Sequence, residues 1–130
     1  MNTKGLRLVD THAHLDEIED VDRAIEEAKQ VGLVAVIAVG QDYESNIKIL
    51  EISEKHRGFV HPALGLHPWN LGNMDASKVD LTLQLIEDNI EKAVGIGEIG
   101  LDYDKRVIAA ADKERQKEAF KTVLELARRY

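Results

Sequence analysis

The 130-residue sequence contains no cysteine, which excludes disulfides, thiolate metal ligands and a cysteine nucleophile. It has two prolines and no Pro/Gly-rich or low-complexity tract that would read as a linker. No apolar run approaches the roughly 18 residues of a membrane span, so no membrane partner is expected. Positive charge is in deficit: 17 Lys and Arg stand against 24 Asp and Glu, a formal net charge of −7. That balance argues against a broad basic surface gripping nucleic-acid phosphates by charge alone. Contact with phosphates through bound metal ions stays open. The start, Met1-Asn2-Thr3-Lys4-Gly5, lacks the pattern of a signal peptide, and a cytoplasmic protein is expected. Hydrophobic residues make up 44% and charged ones 32%, the composition of a folded globular chain. The length suits one unit over 1–130, or part of a larger one.

What is present is a rhythm. Four short apolar stretches, Leu6 to Asp10, Leu33 to Val39, Phe59 to Leu64 and Ala93 to Gly97, read as strands. Their starts lie about 30 residues apart, the size of a βα unit. Between them run helical stripes. Val21, Ala24, Ile25, Ala28 and Val31 form the first, ending at Gly32, and Tyr43, Ile47 and Leu50 the second, after Asp42 and before Gly58. Val79, Leu83, Ile86 and Ile90 form the third, with Ser77 and Asp80 at capping-box spacing. Gln116, Ala119, Phe120, Val123, Leu124 and Ala127 form the fourth, opened by Asp112. The strands are nearly continuous apolar runs, as parallel strands covered on both faces are. The expected fold class is α/β, four βα units with a parallel sheet in the order 1-2-3-4. That is half of a (β/α)8 TIM barrel, which needs about 250 residues.

Three motifs could carry chemistry. Asp10-Thr11-His12-Ala13-His14-Leu15-Asp16 follows the first strand, and residues two apart on an extended chain point the same way. His12 and His14 thus present two imidazoles to one side, a pair of candidate metal ligands. Gly95-Ile96-Gly97-Glu98-Ile99-Gly100-Leu101-Asp102 formally matches a dinucleotide fingerprint, but no helix opens at once after the glycines and a glutamate sits where a pyrophosphate would lie. Small glycines crowding a barrel mouth, with Glu98 offering a carboxylate to a cation, fit better. Ala63-Leu64-Gly65-Leu66-His67-Pro68-Trp69 places His67 at the mouth of the third strand, a candidate for substrate binding or proton transfer. His61 lies deeper and reads as structural. His56 falls at the exposed end of a helix, where it would cap it. Lys105 and Arg106 could touch a phosphate but read as solvated charges. Residues 104–111 carry no motif.

Taken together, Asp10 to Asp16, Gly65-Leu66-His67-Pro68 and Gly95 to Tyr103 resemble three successive signatures of the TatD family of metal-dependent deoxyribonucleases. Arg115-Gln116, Phe120 and Leu124-Glu125-Leu126-Ala127 are similar to the family's segment after the glutamate. The resemblance implies an amidohydrolase-like TIM barrel whose C-terminal rim holds two divalent ions (Mg, Mn or Zn). It implies that His12 and His14 bind one ion and that Glu98 ligates it or bridges the pair. His67 would lie near the phosphate of a DNA substrate, with catalysis as its role, and Asp10, Asp16 and Asp102 would play supporting or structural parts. The family pattern also has two later histidines and a late aspartate, on strands this chain does not contain. The chain therefore resembles the N-terminal half of such a hydrolase, or a half-barrel that must assemble. A related hydrolase acting on an ester or amide, and a catalytically inactive folding or assembly unit, are the alternatives.

One expectation concerns the sheet itself. Strands 1 and 4 would be open edges, and Leu8, Val36, Ala63 and Ile96 would face an interior with no opposite wall. Self-association or a missing C-terminal half is expected to cover it, with residues 104–111 folding back as the remaining option.

Overall fold

The computed structural model describes residues 7–130, so the expected strand start at Leu6 lies outside them. Strands β1 (Leu8–Ala13), β2 (Leu33–Val39), β3 (Val60–Leu64) and β4 (Gly95–Ile96) form one curled sheet in the order β1-β2-β3-β4. Every neighbouring pair is parallel. Helices α1 (Val21–Gln30) and α2 (Tyr43–Lys55) follow β1 and β2. A short α3 (Pro68–Leu71) and a long α4 (Ala76–Asp88) follow β3, and α5 (Lys105–Ala110) and α6 (Lys113–Arg129) follow β4. The result is the α/β half-barrel expected from the repeating strand–helix rhythm. Among the described residues, no helix is long and apolar enough to cross a membrane.

Aspartates start every α-helix but α3, because a short carboxylate accepts from the orphan N–H groups of the first turn. Asp20 accepts from the Arg23 N–H, Asp112 from the Arg115 N–H, and Asp42 forms a reciprocal capping box with Ser45. The cap of α4 is Asp75, which accepts from the Lys78 N–H. The expected pair Ser77 and Asp80 therefore lies inside the helix, two residues too late, because Asp75 and Ser77 are both good capping residues. Gly32 (φ 103°) and Gly58 (φ 81°) turn the chain after α1 and α2 through a conformation that side chains resist.

The helices cover one face of the sheet. Ile25 of α1 and Ile49 and Ile52 of α2 pack on Val36, Ala38 and Val60, while Ile86 of α4 and Leu126 of α6 pack on Leu64, with Ile96 alongside. Val36 and Ile96 thus face the helices, contrary to the expectation that they face the barrel interior. A continuous apolar strand carries no record of its pleat phase, and one residue of slip exchanges the faces. Ala63 pairs in register with Val39 and Gly95 on the opposite face, as expected, and Leu8 lies exposed on the edge strand.

Residues 104–111 are not a loop. They form α5, capped by Asp104 and seated beside α3, where a Cβ on Gly72 would lie 2.4 Å from the Ala110 Cβ. Ala111 joins Leu66, Leu71 and Met74 in a buried cluster at the strands' C-terminal end.

Candidate metal centre

Strand β1 runs on through the first motif to Ala13, its register against β2 shifting between Asp10 and Ala13. Such irregularities re-aim side chains at sheet rims. Asp10 Oδ1 accepts from the His12 N–H at 3.0 Å, and the rings of His12 and His14 meet edge to face with centroids 5.1 Å apart. His14 Nδ1 lies 3.1 Å from the Val39 carbonyl. A carbonyl only accepts, so Nδ1 carries the proton and the Nε2 lone pair is free. Gln41 Nε2 lies 3.1 Å from the same nitrogen; that amide, turned end for end, would present its oxygen to the Nδ1–H.

Glu98 follows β4, three strands away, and glycines bring it across. A Cβ on Gly65 would sit 2.1 Å from the Glu98 nitrogen and 2.3 Å from the Gly97 carbonyl carbon. The bare backbone of Gly65 is thus what lets the Gly97–Glu98 peptide cross over β3. Once across, the Glu98 N–H donates to the Gly40 carbonyl, just past β2, at 2.9 Å. Gly65 is itself held by Asn46, buried in α2: its Nδ2 donates to the Gly65 carbonyl at 2.8 Å and its Oδ1 accepts from the Gly65 N–H at 3.0 Å. A side-chain amide thereby stands in for a neighbouring strand.

His67 ends this rim as the N-cap of α3, its Nδ1 accepting from the Trp69 N–H at 3.2 Å. In the neutral ring the proton is then on Nε2, which faces Glu98 Oε1 at 3.7 Å. His12 Nε2 and His14 Nε2 stand 3.8 and 3.6 Å from Glu98 Oε2. All three distances are too long for hydrogen bonds. For His12, His14 and Glu98 they suit donor atoms sharing one ion at about 2.0–2.2 Å each. Their candidate ligand atoms all lie within 4.8 Å of one another. Two nitrogens and a carboxylate could hold a divalent ion and leave coordination positions open. His67 differs in kind, because it offers a proton where His14 offers a lone pair. The fold therefore gathers the four expected residues but gives them two chemistries.

The neighbouring residues do other work. Asp16 has a buried Oδ1 with no partner, and burial raises its pKa above the ordinary carboxylate value. Asp102 is held below that value by the Asp104 N–H and the Trp69 indole N–H. Arg106 pairs with Asp104 at 3.0 Å. His56 is the C-cap of α2, as expected, but its side chain is only 11% exposed and its Nε2 lies 2.7 Å from Asp22 Oδ1, so it also ties α2 to α1. His61 pairs in register with Ile37, half-buried on the uncovered sheet face. Gln116, read from the sequence as one more stripe position, is fully buried and bonds to both backbone groups of Asp102. A polar residue inside an apolar stripe was the available signal. A cavity of about 810 Å³ beside His61, Arg57 and Lys92 includes none of the four rim residues.

Against known proteins, residues 9–130 match the family model for TatD related DNase. The chain is 34% identical over 139 aligned residues to human deoxyribonuclease TATDN3, covering 99% of this chain and 51% of that protein. It is 35% identical to the uncharacterized metal-dependent hydrolase YabD of Bacillus subtilis, covering 93% and 46%. The crystal structure of YjjV, a TatD homolog from Escherichia coli K12, superposes with a TM-score of 0.80 at 30% identity, covering 95% of this chain and 47% of that one. The chain spans about half the length of the curated relatives it matches.

Proposed function

The chain belongs to the family of TatD related DNases, and on that premise we propose that it is the metal-binding half of a metal-dependent hydrolase that cleaves DNA phosphodiester bonds. The observation that carries this is the convergence of three imidazole Nε2 atoms on one carboxylate at 3.6–3.8 Å. His12, His14 and Glu98 are assigned as metal ligands and His67 as the catalytic residue beside the phosphate. A divalent ion held there, Mg, Mn or Zn, supplies the Lewis acidity that makes water nucleophilic near neutral pH. The chain's own groups set the geometry. Val39 fixes the His14 tautomer, Gly65 admits Glu98 to the rim, and His67 aims an Nε2–H at the place where a non-bridging phosphate oxygen gathers charge. In the complete barrel we assign two ions, the second needing ligands from outside these 130 residues.

Calorimetry of the chain with Mn²⁺ or Zn²⁺ tests the centre. Weak but measurable binding is expected, abolished by the double substitution His12→Ala, His14→Ala. Unchanged binding in that variant places the ion elsewhere. Hydrolysis of a DNA oligonucleotide with added Mn²⁺ or Mg²⁺, compared with an ester and an amide panel, tests the substrate.

The partner we propose for the uncovered sheet face is a second set of four βα units. In the 130-residue chain alone, a second copy fills that role, because among the described residues β1 and β4 each lack one neighbour and both run parallel. Light scattering at micromolar concentration should then give twice the 14.6 kDa chain mass. A well-folded monomer contradicts it.

A further inference from the structure

Trp69 is the chain's one tryptophan, and it is 55% exposed. It stands two residues past His67, at the start of α3. Its indole is nevertheless fixed. The ring packs edge-on against the His67 imidazole, with centroids 5.8 Å apart, and its Nε1–H donates to the Asp102 carboxylate. Asp102 is held in turn: its Oδ1 accepts from the Asp104 N–H at 2.8 Å. Its backbone N–H donates to Gln116 Oε1 at 2.8 Å, and its carbonyl accepts from Gln116 Nε2 at 2.9 Å. A fully buried glutamine thus sets, through an aspartate, the orientation of an exposed ring.

Leaving a large apolar ring in water forfeits its burial, and holding it still adds an ordering cost. Neither expense is explained by packing within the chain. The position explains both. His67 touches both groups: its ring meets the indole with centroids 5.8 Å apart and its Nε2 faces Glu98 Oε1 at 3.7 Å, so one imidazole links the ring to the candidate metal centre. That is the kind of separation a nucleotide spans between its base and its phosphate. The net charge of −7 denies the chain a general electrostatic grip on phosphates, so affinity for a nucleic acid has to come from elsewhere. Aromatic faces supply it by stacking on bases, with little regard to sequence. Tyr103, 45% exposed with the Lys113 ammonium 4.7 Å from its ring centroid, lies one residue beyond Asp102 and extends the aromatic character of the rim.

We propose that Trp69 is a stacking platform for an unpaired nucleobase next to the phosphate that His67 receives. This rests on the phosphodiester reading above and sharpens it: a paired base hides its faces, so the substrate is a single strand or an opened end.

The lone tryptophan makes the test direct. Phosphorothioate-linked oligothymidylate, and an abasic deoxyribose oligomer of the same length and linkage, are titrated into the 130-residue chain with Mn²⁺. Indole emission and the anisotropy of a dye on the oligomer are read together. Oligothymidylate should quench the indole and bind about tenfold more tightly than the abasic oligomer. Trp69→Leu should remove that difference while leaving abasic binding unchanged, and Trp69→Phe should restore most of it. Binding of both oligomers with equal affinity and no quenching overturns the stacking role and leaves the phosphodiester reading standing. Failure of both oligomers to bind overturns the two together. A loss in Trp69→Leu that Trp69→Phe does not restore, and that extends to the abasic oligomer, shows a structural role instead and also overturns the proposal.

Discussion

Leu64 and Val9 belong to the same four-stranded sheet, yet Leu64 is 0% exposed and Val9 is 51% exposed. Leu64 points to the helix side, where Ile86 and Leu126 close over it. Val9 lies on an edge strand with a neighbour on one side only. On the other face, Ala35, Ile37 and His61 stay half-buried and only Val39 and Ala63, toward the rim, are buried, although the strands are as apolar there as on the helix side. The helix side is finished within the chain, and the edge and inner face are not. The polar groups of the candidate centre stand where the two regimes meet, at the C-terminal rim. Stability and chemistry in this chain thus draw on different surfaces.

The largest effect that would break this contrast is thermodynamic. Leu64→Ala should cost about 2–5 kcal/mol, the range for a buried leucine whose site cannot collapse. Val9→Ala should stay within about 0.5 kcal/mol, as exposed substitutions do. Urea denaturation of the two variants checks it. Equal losses would mean that the edge is already buried in the assembled protein.

The next effect sits on the rim. Gly65→Ala puts a methyl group into the Gly97–Glu98 backbone, so a loss of about 1–3 kcal/mol is expected, measurable by thermal unfolding. Because the clash displaces Glu98 from the histidines, metal affinity in the folded variant should fall at least tenfold in calorimetry. Wild-type affinity would show that Glu98 reaches the ion without this crossing.

The smallest effect is confined to the helix side. Asp22 bonds to Lys55 and His56, which lower its pKa. A carboxylate with a depressed folded value contributes stability that is fully present above its unfolded pKa of roughly 3.9 and is lost as pH falls through the folded value. Asp22→Asn should therefore lower the melting temperature slightly at pH 7, by an amount that shrinks as pH falls through the folded value of Asp22. A difference that persists at the acid end would assign the effect to packing. On an exposed pair the change is small because water already screens the charges.

Much of this was legible beforehand, and the reasons are local. Strand and helix existence follows from periodicity, and Asp42 and Asp112 were visible as caps because capping is a contact across three residues. The pairing of His12 with His14 needed only the two-residue repeat of an extended chain. Asp75, the cap of α4, was passed over because its neighbours offered equally good chemistry. Helix α5 has no comparable local signal, because Ala111 at its end finds Leu71 only when α3 is already in place. That His56 caps α2 follows from its place at the helix end, but its tie to Asp22 does not, because that partner is far away in sequence.

By itself, the sequence determined the strand–helix alternation and the pairing of His12 with His14, because each depends on residue type at short spacing. The tertiary structure alone decided which sheet face is covered, since an uninterrupted apolar strand is symmetric under a one-residue slip. It also decided that Glu98 reaches β1, because that crossing depends on the empty space over Gly65. The division between His14 and His67 likewise came from the fold. Which nitrogen carries the proton depends on whether the neighbour is a carbonyl, as Val39 is, or an N–H, as Trp69 is, and that is set by what folding places beside each ring.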